Sequence, residues 1–198
     1  MKKYINTLFI SLACTGFTFA QSSEIMFLDI SGIDGEYTTP ARTKFTGQNP
    51  KTQNLLLTRY SFDWAAETSF DRGAGVAVGK PNSIGEMTLN FQIDKSVISL
   101  FNRLVNNTII PEMDIFIDKP ANVGNSTLQT ELSRIKMFNV TIRDLVISNT
   151  EIPQYSMRIR FERVAMIINT FDGVGVGTKG TPYCFNYLTQ NTSNCFTF

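Results

Sequence analysis

The acidic pairs are the first residues in this sequence that could do chemistry. Asp29 and Asp34 bracket a glycine turn, and Asp114 and Asp118 stand four apart in an extended stretch. Two carboxylates about 5–9 Å apart across a glycosidic bond could cleave it, one as acid and the other as base or nucleophile. Acids this near in sequence, beside glycine turns, ordinarily sit in solvent, and that is how these read. The chain has no histidine. That removes Ser-His-Asp and Cys-His nucleophile systems and the ordinary zinc sites. Residues 75–80 fall short of a phosphate loop. Ala74 stands where the first glycine is needed, and Pro81 follows Lys80 in place of Ser or Thr. Residues 175–180 fit the GxGxxG pattern, but Thr181-Pro182-Tyr183 follow where a helix N-terminus would have to hold the anion. No cofactor and no metal is expected, and the chain reads as non-enzymatic.

Arg134, Lys136, Arg143, Arg158, Arg160 and Arg163 lie on extended stretches opposite apolar positions. They read as the wet face of a sheet, balanced by Glu131, Asp144 and Glu162. Trp64 and its aromatic neighbours read as core. Residues 1–20 read as a secretory leader. Lys2 and Lys3 open it, a mostly apolar run follows, and Thr18-Phe19-Ala20 offers small residues for cleavage before Gln21. The run is short for a membrane span. Ser11-Leu12-Ala13-Cys14 has Ser where a lipobox usually has Leu, so lipidation at Cys14 stands only as an alternative.

Cleavage would change two counts. Loss of Lys2 and Lys3 lowers Lys+Arg from 18 to 16 against 17 Asp+Glu, so the mature chain carries −1. Such a balance draws the protein neither to nucleic acid nor, once the leader is gone, to a membrane. Cys14 leaves with the leader, and Cys184 and Cys195 remain. An even pair in an exported chain reads as a disulfide, with free thiols as the alternative. The expected location is periplasmic or secreted.

The elements that would position these residues are mostly strands. In residues 86–93, Met87, Leu89, Phe91 and Ile93 alternate with Glu86, Thr88, Asn90 and Gln92, the period of a half-buried strand. The period then changes: Val97, Leu100, Phe101, Leu104 and Val105 form one stripe of a helix, with Ser96 as N-cap and Asn106-Asn107 at its end. So short a helix needs a sheet to pack on. Strands are expected at residues 26–30, 55–64, 113–117, 132–148 (two strands, bent near residues 137–139) and 155–168. In residues 55–64, Leu56, Tyr60, Phe62 and Trp64 share a face. Parity slips near residues 137–139 and again at Glu162-Arg163, where Val164, Met166 and Ile168 take over from Tyr155, Met157, Ile159 and Phe161. Bulges that turn the following side chains over also let a sheet curl into a barrel. Residues 65–84, with three glycines and Pro81, read as a long irregular loop, of the kind that is usually functional or mobile. Residues 173–180 read as a glycine-rich linker to an aromatic tail.

Taken in order, these segments resemble the Hcp family, the ring-forming tube protein of bacterial type VI secretion. The residues that carry the resemblance are the run from Met26 through Glu36, then Tyr60-Ser61-Phe62-Asp63-Trp64 and a glycine-rich extended loop. A polar–apolar strand then enters Ile93-Asp94-Lys95-Ser96 and a helix with Leu100-Phe101, and paired long strands close at residues 161–171. The resemblance implies a mainly β fold, a β-barrel of two sheets with one short α-helix packed on it. It implies self-association, six copies to a ring and rings stacked into a tube. It also implies that loop 65–84 reaches a neighbouring ring, with Phe70, Arg72, Val76, Val78 and Lys80 as contact candidates. The domain plan is then residues 1–20 as leader, 21–172 as barrel and 173–198 as linker and disulfide-containing tail. The leader and the cysteine pair depart from a cytoplasmic tube subunit. They leave a second expectation: a Sec-exported Hcp-fold effector or binding protein, acting outside a type VI apparatus on secretion or host proteins.

Overall fold

The change of period after residue 93 marks a real boundary between strand and helix. The computed structural model describes residues 24–42, 50–62, 66–70, 77–81, 85–120, 128–148, 153–171 and 177–192, the stretches 66–70 and 77–81 by backbone alone. The strands are β1 (Ile25–Ile30), β2 (Tyr37–Thr38), β3 (Gln53–Phe62), β4 (Ala66–Phe70), β5 (Ala77–Pro81), β6 (Gly85–Gln92), β7 (Ile110–Pro120), β8 (Gln129–Ser148), β9 (Gln154–Phe161), β10 (Arg163–Ile168), β11 (Thr170–Phe171), β12 (Gly177–Thr178) and β13 (Tyr183–Asn186). The helix is α1 (Val97–Val105).

Six antiparallel strands close on themselves in the order β1-β3-β6-β9-β8-β7, with β7 returning to β1. Closure satisfies every barrel strand on both sides and leaves no open edge within the ring of six. The interior is built from alternate residues: Leu28 and Ile30, Leu55 and Leu57, Met87, Leu89 and Phe91, Met113 and Ile115, Met157 and Ile159. Ile93, expected on that face, lies past the end of β6 and is exposed.

Strand β8 explains the first parity slip. It is one long strand rather than two, and Asn139 within it has φ of 53°. Asn tolerates the left-handed region better than most residues. Before the bend β8 pairs with β7 and β10; from Thr141 on it pairs with β9, and β7 reaches only as far as Val140. Ile135 and Met137 therefore face the core on one parity and Val140 and Ile142 on the other. The second slip is at Glu162, which separates β9 from β10. There the expected face holds for Val164, which is buried in the core, and for Met166, which packs against it, but not for Ile168, which is exposed; Ile167 is buried on the opposite face, across from Arg134. A third slip, between Leu57 and Arg59, is not apparent from the sequence. Because of it Leu55 and Leu57 are buried in place of Leu56, which corrects the expected face at Leu56, while Tyr60 and Phe62 pack against the core as expected. Trp64 lies outside the described residues.

Helix α1 packs on β8. Ser96 makes no side-chain cap. Asp94 takes that part: its Oδ1 accepts from the Ser96 backbone N at 2.7 Å and from Ser96 Oγ. Asn107 ends the helix with φ of 48°. The apolar stripe divides. Leu100 is fully buried, and Val97 and Leu104 pack against the core from its margin. Burying a leucine side chain contributes about 1.5–3 kcal/mol, which this short helix needs. Phe101 and Val105 stay exposed.

The long loop expected at 65–84 is in fact a hairpin. β4 and β5 pair from Ala66↔Pro81 to Phe70↔Ala77 as a separate two-stranded sheet. Gly79 and Pro81 hide it in the sequence, because its regularity comes from backbone pairing and not from an apolar period. The aromatic tail likewise joins the sheet, with β13 pairing along β10.

Candidate interaction surfaces

Each acid singled out from the sequence is held by a cation. Asp29 and Asp34 share Lys51, whose Nζ is 3.3 Å from each, while the Lys51 backbone N donates to Asp29 Oδ2 at 2.9 Å. Lys51 Nζ also donates to the carbonyls of Ile30 and Ile33, both at 2.6 Å. It thereby clamps the turn in which Gly32 adopts φ of 73°. Asp114 lies 3.4 Å from Lys136 Nζ, and Arg42 donates from Nη2 to Asp118 Oδ1 at 2.8 Å. The two pairs therefore belong to different ion networks. No group of three or more His, Cys, Asp or Glu placed to hold a metal occurs among the described residues.

The wet-face reading of the basic residues needs correction. Arg143 and Arg158 are exposed, but Arg134 is wholly buried and Lys136 nearly so. They belong to a second packed layer on the outer side of β1, β7 and β8. Phe27 stacks on Phe116, with centroids 5.0 Å apart and planes at 9°. The guanidinium groups of Arg134 and Arg42 lie 4.4 Å and 5.0 Å from the Phe116 centroid. Glu131 Oε2 accepts from Arg134 Nη2 at 2.6 Å and from Arg42 Nη2 at 2.9 Å. Lys136 Nζ bonds Glu112 Oε1 at 2.6 Å. The layer thus sets Arg42, Arg134 and Lys136 against Asp118, Glu131, Asp114 and Glu112, three cations against four acids. Glu112 is part-exposed, and it shares Lys136 with the buried Asp114. Asp114 therefore has no cation to itself. Burial pushes its pKa up to about 7 although Lys136 pulls it down; Glu112 adds to the rise and Arg134 opposes it. Burial also raises Asp118, against Arg42. The remaining bases pair as expected or nearly so: Arg158 with Asp144, Arg160 with Glu86, and Arg163 more loosely with Glu162 at 3.9 Å.

Several large apolar side chains are exposed among the described residues, Val146, Ile147, Ile168 and Leu188 among them, and a run of them lies on α1. Ile98, Phe101 and Val105 follow helical spacing on α1 and are 70%, 55% and 65% exposed; Ile109, just beyond, is 56% exposed. The sequence pattern puts Phe101 and Val105 on the buried stripe and passes over Ile98 and Ile109. Next to this face an open groove runs past Leu104, Asn107 and Ile109 to Asn139, Thr141 and Leu188. Among the contact candidates, Phe70 closes β4, and Val78 and Lys80 lie in β5, opposite Ser69 and Glu67. Arg72 and Val76 lie outside the described residues, as does Cys195. Cys184 is buried in β13, opposite Ala165. The GxGxxG match is followed by strand β13, with no helix start between. No helix among the described residues is long and apolar enough to cross a membrane.

A closed barrel of six antiparallel strands, bent at Asn139 and Glu162 and buttressed by one short helix, is the fold of the Hcp class. The family model for the type VI secretion system effector Hcp matches residues 27–167. The chain belongs to that family. Solved structures agree in fold. A type six secretion system protein superposes with a TM-score of 0.64 at 15% identity, over 84% of this chain and 98% of that one. Hcp1 from Salmonella typhimurium gives 0.57 at 15% identity, over 84% and 97%. A type VI secretion system effector from Yersinia pestis gives 0.55 at 15% identity, over 81% and 98%. A search of curated protein sequences finds none that matches.

Proposed function

We propose that the mature chain is a non-enzymatic, Hcp-like structural protein that associates with itself into six-membered, tube-like rings. The contacts are the barrel edges and the 65–84 loop, joined by the exposed face of α1. Family membership supports this reading, and the exposed face of α1 carries it. Ile98, Phe101, Val105 and Ile109 offer large apolar side chains to solvent side by side, which marks a protein contact. In a self-associating family the natural occupant is a second copy. The protein is exported by a leader cleaved after Ala20, and a Cys184–Cys195 bridge fastens its tail; the bonded state of Cys184 supports the bridge.

The leader favours a second reading, an exported Hcp-fold effector or binding protein that works alone. Sedimentation velocity of residues 21–198, with Phe101→Glu alongside, separates the two. The ring reading expects a six-copy species that Phe101→Glu dissolves. A monomer at high concentration, indifferent to that substitution, supports the second reading and overturns the first.

A further inference from the structure

The family match ends at residue 167, and the chain beyond it is closely seated on the barrel. Strand β10 pairs with β8 on one side. On its other side β13 pairs in register from Arg163↔Asn186 to Met166↔Tyr183. Without β13 that side of β10 would be a bare strand edge, which is a template for another chain.

The barrel is shaped to receive this segment. Tyr187 and Phe185 are buried and belong to the main core cluster. Tyr187 meets Phe161 edge-on at 5.7 Å and Phe185 at 4.9 Å. Gly85 opens the notch: a Cβ there would stand 2.2 Å from the Phe161 ring and 2.7 Å from Tyr187. The Tyr187 backbone N donates to the Glu162 carbonyl at 2.9 Å, at the break between β9 and β10. At the other end a Cβ on Gly180 would stand 1.9 Å from the Ile168 carbonyl oxygen. The Gly180 backbone N donates to Asn169 Oδ1 at 3.2 Å. Asn169 is itself buried, and its Nδ2 donates to the Glu131 carbonyl at 3.1 Å. Two glycines, the Glu162 carbonyl and a buried asparagine thus all serve one segment, residues 177–192.

We infer that the outer edge of β10 and the notch at Gly85 form a strand-acceptor site, and that residues 177–192 of the same chain occupy it. The occupant is an extended segment with an aromatic side chain at the place of Tyr187. Filled in cis, the site keeps this edge from pairing with a second copy and leaves assembly to other faces. The inference goes beyond the ring reading and stands even for a monomer.

Hydrogen exchange on the full mature chain tests it, with Gly180→Val/Tyr187→Ser as the variant. The probe is a fluorescein-labelled peptide of residues 177–192 carrying Cys184→Ser. In the unsubstituted protein, residues 163–168 should exchange slowly and the peptide should not bind. In the variant, exchange at 163–168 should rise at least tenfold while 85–92 and 113–117 stay protected, and the peptide should bind. Tyr187→Phe alone should behave as unsubstituted. Three results would each overturn the inference. One is unchanged exchange at 163–168 when 183–186 is freed. Another is exchange rising together at 85–92, which makes the segment inseparable from the core. The third is equal peptide binding by both proteins.

Discussion

Replacing Asp114 by asparagine should stabilise the protein at neutral and alkaline pH and leave it unchanged in acid. The carboxyl titrates near 3.8 when unperturbed and near 7 in the fold. Between those values the folded state holds a proton that the unfolded state has lost, so stability falls as pH rises through the window. The contribution is whole below the lower value and gone above the upper. A rise of about 3 in pKa, at about 1.4 kcal/mol for each unit, caps the effect at about 4 kcal/mol. Asparagine mimics the protonated acid in shape and charge, and Lys136 keeps Glu112 at 2.6 Å. Urea unfolding of both proteins between about pH 4 and pH 8.5 reads the difference directly. The two stabilities should agree near pH 4 and separate as pH rises, with the variant ahead by about 2–4 kcal/mol at pH 8. Parallel curves, or a variant that loses stability at pH 8, would refute the view that burial holds the Asp114 carboxyl well above its ordinary range.

The other consequences are as direct. Leu100→Ala should cost about 2–5 kcal/mol, measured by denaturant midpoint, because Leu100 is the fully buried anchor of α1. Phe101→Glu should leave that midpoint within about 0.5 kcal/mol while reducing the assembled mass, since the side chain is 55% exposed. Gly85→Ala should destabilise by about 1–3 kcal/mol, because Phe161 and Tyr187 would have to give way. The same substitution should speed exchange in the segment that carries Tyr187.

Regular periods make much of this fold legible. Met87, Leu89 and Phe91 announce β6, and Val97, Leu100 and Leu104 announce the packed side of α1. The slips at Asn139 and Glu162 can be read because long apolar runs lie on both sides of each. The slip at Leu57 cannot, because Leu55-Leu56-Leu57 is apolar on both parities and hides its own register. The buried ionic layer escapes the sequence for a related reason. Arg134 and Lys136 alternate with apolar residues just as solvent-facing bases do, and what covers them comes from elsewhere in the chain: Arg42 in a loop and Phe27 and Phe116 on other strands. Only an aromatic at Phe116, on the same parity as Asp114 and Asp118, hints at a second packed face. The hairpin of β4 and β5 leaves still less trace, since backbone pairing needs no side-chain pattern.

Native mass measurement of the protein, with its N-terminus sequenced in the same sample, bears most directly on the proposed role. A chain beginning at Gln21 and a mass of six copies is the expected result. A protein that still carries residues 1–20, or a single copy at every concentration, would contradict it.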